Sequence, residues 1–294
     1  MLVLIGDFSS VVVAIVLSIL SGTWLTYLLT VILIGSRMRA LNNLVHEASH
    51  NALFRSRKLN LWIGRLCALP IFLSMTDYKT SHMLHHARLG CDGDPDLIRE
   101  RQLMADKPAN QRNWLLCLVN LPGKYVTYVV GSLYLGPTHL QSLAIRLLLI
   151  AVLVGLGTLF FGNAALLNCL KYWVVPFFTS YQLIKFIAEA GEHSGLYSEA
   201  LASEPLAVKS VEMSRNMIPS LPLKLLFYPH GDGYHMLHHR FPAVPGLNLA
   251  KLHAHLCVTG WYEKQGFKNN CTRFFGKRQL LDQIFFNRST GVST

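Results

Sequence analysis

The sequence predicts an all-α integral membrane protein with two transmembrane helical hairpins and a cytoplasmic helical cap. Of its 294 residues, 51% are hydrophobic and only 15% are charged, which fits a membrane protein better than a soluble one. Long uncharged runs occur near the N-terminus and past the middle of the chain, and the positive charges are concentrated outside them. We interpret residues 1–294 as a single domain in which membrane hairpins alternate with polar blocks.

The first hydrophobic region lies between Asp7 and Arg37, where 29 consecutive residues are uncharged. A membrane helix needs roughly 20 apolar residues, and a Ser-Gly turn signal at 21–22 divides the run. The pattern predicts a hairpin with arms at about 2–20 and 22–42, with one long helix as the alternative.

The second hydrophobic region contains two uncharged runs, Leu147–Leu170 and Tyr172–Ile184. Each run is long enough to supply most of a membrane helix. We predict a second hairpin with arms at about 144–162 and 165–188, which turns near Gly162.

The basic residues predict the orientation of the chain. Of the 27 lysines and arginines, 24 lie in residues 36–142 and 189–294. By the positive-inside rule, the two polar blocks, 43–142 and 189–294, face the cytoplasm. Because the second hairpin crosses the membrane twice, both blocks emerge on the same side however the N-terminal region is folded.

Two further apolar stretches, residues 61–73 and 114–136, are interrupted by Arg, Lys, Pro and Gly. They predict interfacial or half-buried helices rather than spans.

Charge and cysteine content exclude other classes of protein. The net charge is +11, but the basic residues form no stripe with interleaved aromatic residues, so we expect no nucleic-acid binding. A basic face suits contact with anionic lipid headgroups. The six cysteines form no C-x-x-C pair, which is typical of reduced thiols in a protein whose polar parts face the cytosol.

Eight of the 13 histidines fall into three boxes, one H-x-x-x-H and two H-x-x-H-H. Residues three and four apart share a helix face, so each box directs its imidazoles together. Chance predicts only about 0.03 H-x-x-H-H matches in such a chain, so two matches indicate a metal site. Eight imidazoles exceed the ligands of one zinc ion, which implies two metal ions. The boxes are His46 and His50; His82, His85 and His86; and His235, His238 and His239.

The order of these boxes between membrane hairpins resembles the membrane fatty-acid desaturase superfamily, a histidine-box, non-haem di-iron family. The likeness covers most of residues 40–255, and HEASHN and HHARLGCDGD are also similar to the sphingolipid delta-4 desaturase branch. The resemblance implies two iron ions, dioxygen as co-substrate and oxidation of an unactivated C–H bond. The matching stretches are HEASHNALFRSRKLNLWIG (46–64), SHMLHHARLGCDGDPDL (81–97) and GYHMLHHRFPAVPGLNLAKLH (233–253).

The same resemblance implies a ninth metal ligand, His193, directly after the last membrane helix. Five carboxylates near the boxes are candidates for metal ligands or for groups that orient an imidazole, since ligating histidines usually donate their second N–H to an oxygen. The alternatives are ordinary interfacial carboxylates and a short acidic turn. The five are Glu189, Glu192, Asp232, Asp94 and Asp96.

The reaction also needs electrons, and the sequence contains no haem-binding segment, no iron–sulfur cysteine pattern and no G-x-G-x-x-G loop. We therefore expect a separate donor protein, such as a ferredoxin or a cytochrome, to dock on the basic face. The expected substrate is a hydrophobic fatty-acyl chain, or an isoprenoid, held in an apolar tunnel.

Box spacing does not report which carbon meets the oxidant, so several activities stay open. A lipid or carotenoid hydroxylase or ketolase, and a desaturase of a small amino-acid-derived metabolite, fit the same scaffold. A membrane zinc hydrolase is a further alternative, because imidazole binds zinc and iron alike. A metal transporter is disfavoured, since the uncharged helix interiors contain no histidine.

Overall fold

The computed structural model describes residues 2–102, 121–133, 139–265 and 271–272. Within these ranges the regular structure is almost entirely helical, which confirms the all-α prediction. The β structure in the described ranges is a two-residue parallel pairing of β1 (Asn216–Met217) with β2 (Cys271–Thr272).

The N-terminal region forms two packed helices, α1 (Leu2–Ser21) and α2 (Trp24–Ser49), rather than one long helix. The break falls at Gly22, whose φ of +63° is a left-handed conformation that favours glycine. Thr23 then caps α2, because its side chain accepts a hydrogen bond from a main-chain N–H of the first turn. α2 is longer than the predicted arm and ends just before Asn51, whose φ is +58°. The first histidine box therefore lies at the C-terminal end of α2.

Residues 57–88 form a bent pair of helices. α3 (Arg57–Ala68) continues into a 3-10 turn (Leu69–Ile71), and α4 (Met75–Arg88) leaves at an angle of 104°. The bend is fixed by Phe72 in a left-handed conformation and by Ser74, whose hydroxyl caps α4. One face of α3 is buried and the other is exposed, as expected of a half-buried helix.

The described part of the first polar block also contains two short helices, α5 (Pro95–Gln102) and α6 (Leu121–Ser132). The second predicted half-buried stretch, 114–136, lies partly outside the described residues, and its described part is mainly α6.

The second hydrophobic region turns where the sequence predicts. α7 (Leu140–Phe161) ends at Gly162, whose φ is +67°, and the chain is then helical without a break from residue 163 to residue 193. Two π-helical turns flank Pro176, which cannot donate a main-chain hydrogen bond, so the wider turns accommodate it. The segments of this long helix are α8 (Asn163–Cys169), the π-helical turns Leu170–Val174 and Phe177–Tyr181, and α9 (Gln182–His193).

Among the described residues, α1, α2 and α7 are long and apolar enough to cross a membrane, and the bent pair 57–71 and 75–88 is a possible fourth span. Large apolar side chains are exposed along α1 and α7, as expected of helices that face lipid. The chain is therefore a membrane protein.

The C-terminal block is built from short helices around a small apolar core that includes Met236, Leu237 and Leu249. Gly231, with φ +91°, lies so close to the carbonyl of Gly246 that any side chain there would overlap it. This contact fixes the loop before the third histidine box. Among the described residues, its helices are a 3-10 turn (Glu199–Leu201), α10 (Leu206–Glu212), α11 (Leu221–Phe227), a second 3-10 turn (Pro229–Gly231), α12 (His235–Arg240), α13 (Gly246–Val258) and α14 (Trp261–Lys264).

Candidate metal centre

Nine histidines converge from four helices. The first box spans the end of α2 and the residue that follows it, the second box lies near the end of α4, and the third box fills α12 except for its last residue. His193 is the last residue of α9. Two main-chain N–H groups at the start of α12, those of Met236 and Leu237, donate to Arg215 O and Asn216 Oδ1, which anchors the third box.

The nine imidazoles divide into two groups, and within each group one ring nitrogen of every member lies within 4.8 Å of the others. The two groups are adjacent, because the rings of His86 and His239 stack with centroids 4.2 Å apart. The five-histidine group contains His46, His50, His82, His86 and His238, and the four-histidine group contains His85, His193, His235 and His239.

The division follows helix geometry. His82 and His86 are four residues apart and share one group, whereas His85 belongs to the other. The third box repeats the pattern with the groups exchanged: His235 and His239 share the four-histidine group, and His238 joins the five-histidine group. The second and third boxes therefore each contribute ligand candidates to both groups.

The distances between ring nitrogens fit shared metal ions. In the four-histidine group, successive Nε2 atoms of His85, His239, His235 and His193 are 3.2, 3.0 and 2.8 Å apart. Two imidazoles at right angles on an ion about 2.1 Å away would bring their nitrogens to about 3.0 Å. In the five-histidine group, the Nε2 atoms of His50, His82, His86 and His238 follow each other at 2.8, 3.1 and 3.0 Å.

Protonation also fits metal binding. Burial lowers the pKa of His235, His238 and His239 well below the ordinary value, and it lowers the pKa of His193 to about 4. These rings are therefore neutral at physiological pH, which is the form that binds a metal.

Two of the rings are held by their second nitrogen. His85 Nδ1–H donates to Asp94 Oδ1 at 2.7 Å, and His193 Nδ1–H donates to the carbonyl of Met213 at 2.6 Å. With Nδ1 engaged in this way, Nε2 is the nitrogen of each ring that faces the group. Asp94 is fully buried and is itself fixed by the main-chain N–H groups of Gly90 and Asp96.

The other candidate carboxylates form ion pairs with cationic side chains. Glu192 and Asp232 both accept from Arg39 Nη2, and Glu192 Oε2 is 3.8 Å from His235 Nε2. Glu189 accepts from Lys185 Nζ at 2.8 Å and from the hydroxyl of Tyr128 at 2.7 Å.

Asp96 lies between a cation and an imidazole. One of its oxygens is 3.2 Å from Arg99 Nη2, and the other is 3.8 Å from His85 Nε2. The Arg99 guanidinium lowers the pKa of Asp96 below the ordinary value, although burial opposes this shift. Of the five candidate carboxylates, only Asp94 is hydrogen-bonded to a box histidine within the described residues.

Sequence reasoning missed two residues that border the site. Glu47 Oε1 is 3.4 Å from His46 Nδ1, and its other oxygen accepts from the main-chain N–H of Gly246. Arg39 lies at the centre of three carboxylates. Glu47 was recognisable from its place inside the first box, and Arg39 from being two helical turns before His46 on a helix with few charges. His139, His230, His253 and His255, which lack box spacing, lie outside both groups.

Comparison with known proteins places these residues in a familiar context. The fatty acid desaturase family model matches residues 22–261, a range that contains all nine histidines. A dihydrorhizobitoxine desaturase of Bradyrhizobium elkanii is 26% identical over 265 residues, which cover 80% of this chain and 69% of the relative.

Two further relatives carry names that refer to lipid substrates. A sphingolipid delta(4)-desaturase of Gallus gallus is 27% identical over 215 residues, covering 70% of this chain and 58% of the relative. A delta(5) fatty acid desaturase of Caenorhabditis elegans is 28% identical over 253 residues, covering 76% and 55%. The chain thus spans little more than half the length of these two relatives.

Proposed function

The chain belongs to the fatty acid desaturase family, and from this membership we propose that it is a membrane-bound, dioxygen-dependent desaturase with a di-iron centre. The observation that carries the proposal is the division of nine imidazoles into two adjacent groups, one for each ion. Bound iron would supply the oxidising chemistry needed to break an unactivated C–H bond with dioxygen.

The proposed reaction converts one C–C single bond of the substrate into a double bond. The two hydrogens removed, together with two electrons and two protons from outside, reduce dioxygen to two molecules of water. The two electrons come from a separate donor such as a ferredoxin or a cytochrome. We place the metal centre, the two polar blocks and this donor on the cytoplasmic side, where the basic residues favour an acidic partner.

The residues of the chain hold and orient the centre. The i, i+4 pairs on α2, α4 and α12 present two imidazoles each from one helix face. Asp94 and the Met213 carbonyl fix the rings of His85 and His193 with Nε2 directed inward. The burial of the four-histidine group keeps water away from the reacting centre.

The proposal is tested with membranes that contain the chain, a ferredoxin and its reductase. Products two hydrogens lighter than their precursors, formed only with dioxygen and reductant, are the expected result. Products that gain oxygen would show that the activity is hydroxylation or ketolation and not desaturation. Turnover that persists without dioxygen and reductant would identify a zinc hydrolase instead.

A substitution at Asp94 tests its role in orienting His85. We expect Asp94→Asn to lower iron affinity and turnover by roughly 10–100-fold, since the charged acceptor of the His85 N–H is lost. Asp92→Asn is the matched control, because Asp92 belongs to the same turn and its side chain is 97% exposed. Iron content and turnover are measured at equal amounts of folded protein. Equal values for the two variants would contradict this role.

A further inference from the structure

A cavity of about 230 Å³ lies beside both groups of histidines. His46 and His82 of the five-histidine group line it, together with His235 of the four-histidine group. A reacting carbon has to lie next to the metal centre, so the substrate occupies this cavity if the proposed desaturation is correct. Its volume is below the roughly 300–1,000 Å³ of sites for drug-sized ligands.

About half of the wall of this cavity is polar, and many of its polar groups are charged. Three cationic side chains, four carboxylates and three side-chain amides line it, contributed mainly by α2, α5 and α9. A site for a long acyl chain is expected to be mainly apolar instead. Apolar cavities do exist: one of about 300 Å³ lies between Leu153 and Trp173, and one of about 170 Å³ lies beside Phe8. Neither contains any of the nine histidines.

The charges of the cavity fall into an inner and an accessible set. Arg39, whose side chain is 4% exposed, is enclosed with Glu192 and Asp232 and pairs with both. The side chains of Arg99 and Asp96 are 30% and 23% exposed. The accessible pair, 3.2 Å apart, offers a ligand one guanidinium and one carboxylate, and Glu189 Oε2 lies 3.7 Å from the same guanidinium.

Two buried amides in the wall also lack partners among the described residues. Asn42 Nδ2 is such a donor and Gln182 Oε1 such an acceptor, and both residues are at most 2% exposed. The Asn42 amide is oriented by Arg39 Nη1, which donates to Asn42 Oδ1 at 2.8 Å. An unsatisfied buried polar atom costs about 1–3 kcal/mol, so a polar ligand that pairs with both atoms is favoured.

We propose that the substrate is a small zwitterion, a molecule with a carboxylate and an ammonium group within a few bonds of the carbon that is oxidised. The carboxylate binds Arg99, whose planar fork suits two parallel hydrogen bonds, and the ammonium binds Asp96. Such a ligand adds no net charge to a wall of three cations and four carboxylates. This inference rests on the proposed desaturase activity, and it favours the small-metabolite alternative over the acyl chain that the sequence favoured.

The test compares two fractions of a cell extract as the source of substrate. Membranes with the chain, a ferredoxin and its reductase receive either the water-soluble or the chloroform-soluble fraction, and products two hydrogens lighter are sought. We expect the product in the water-soluble fraction. Arg99→Gln should lower its formation roughly 30-fold at low substrate concentration without loss of iron, because the charge pair between the guanidinium and the substrate carboxylate is lost.

Arg101→Gln is the matched control, since Arg101 lies on the same helix and pairs only loosely with the exposed Asp92. Product in the chloroform-soluble fraction that is insensitive to Arg99→Gln would overturn the inference and leave the desaturase intact. A chloroform-soluble product that depends on Arg99 would show that Arg99 binds the charged headgroup of a lipid. That result would overturn the proposal of a small water-soluble substrate. No lighter product in either fraction, with iron and donor activity verified, would overturn the desaturase activity itself.

Discussion

Replacing His239 with alanine is expected to abolish turnover and to remove about one of two iron ions per chain. His239 belongs to the smaller group, and its Nε2 atom is the link between those of His85 and His235. Loss of a group that merely orients a ligand costs 10–100-fold, so loss of the ligand itself should lower activity by more than about 100-fold. Iron content by elemental analysis and product formation are measured on the same membranes.

His255→Ala is the matched control, because His255 is exposed on α13 and lies outside both groups. It should keep both ions and full turnover. A His239→Ala variant that keeps two ions and its activity would show that the four-histidine group is not a metal site.

Replacing Arg39 with methionine is expected to destabilise the fold more than any other single change near the cavity. The guanidinium is almost fully buried and contacts Glu192 and Asp232, with Glu189 3.6 Å away. Its removal leaves buried carboxylates unpaired, which costs about 3–5 kcal/mol. The expected readout is a large drop in the thermal unfolding midpoint of the detergent-solubilised protein.

Two comparisons isolate this effect. Arg55→Met removes an exposed guanidinium and should leave the midpoint unchanged. The double variant Arg39→Met/Asp232→Asn should recover part of the loss, because one of the unpaired charges is then neutral. A double variant as unstable as the sum of its two single variants would contradict the pairing of Arg39 with Asp232.

The sequence predicted the helical elements well because their signals are local. An uncharged run sets the length of a membrane helix, and the glycine turns at Gly22 and Gly162 lie where such runs are interrupted. The histidine boxes were equally easy to recognise, since i, i+3 and i+4 spacing brings imidazoles to one helix face. The structure brings all eight box histidines and His193 together.

The division of the boxes between two groups was not predicted, although its basis is in the spacing. In an H-x-x-H-H box the first and last residues are four apart and point alike, whereas the middle histidine is rotated from both. The group that each histidine joins depends on how α4 and α12 pack against each other. That packing is a property of the tertiary structure. The sequence therefore indicated a pair of ions without assigning His85 or His238 to either.

The partners of the carboxylates were the least predictable part of the site. Glu189 and Asp232 were candidates for contacts with imidazoles, but both pair with cations. Glu189 pairs with Lys185, one turn earlier on the same helix, and Asp232 pairs with Arg39, from a distant part of the chain. Opposite charges in a buried cavity attract strongly, and no local pattern encodes contacts between residues 193 positions apart.

The most direct test of the di-iron desaturase is the metal content of the intact chain in lipid nanodiscs, measured by elemental analysis with Mössbauer spectroscopy. We predict two iron ions per chain, with spectra of high-spin iron in two nitrogen-rich sites, and no stoichiometric zinc. One zinc ion per chain, in a protein that is fully folded and supplied with iron during expression, would contradict the account.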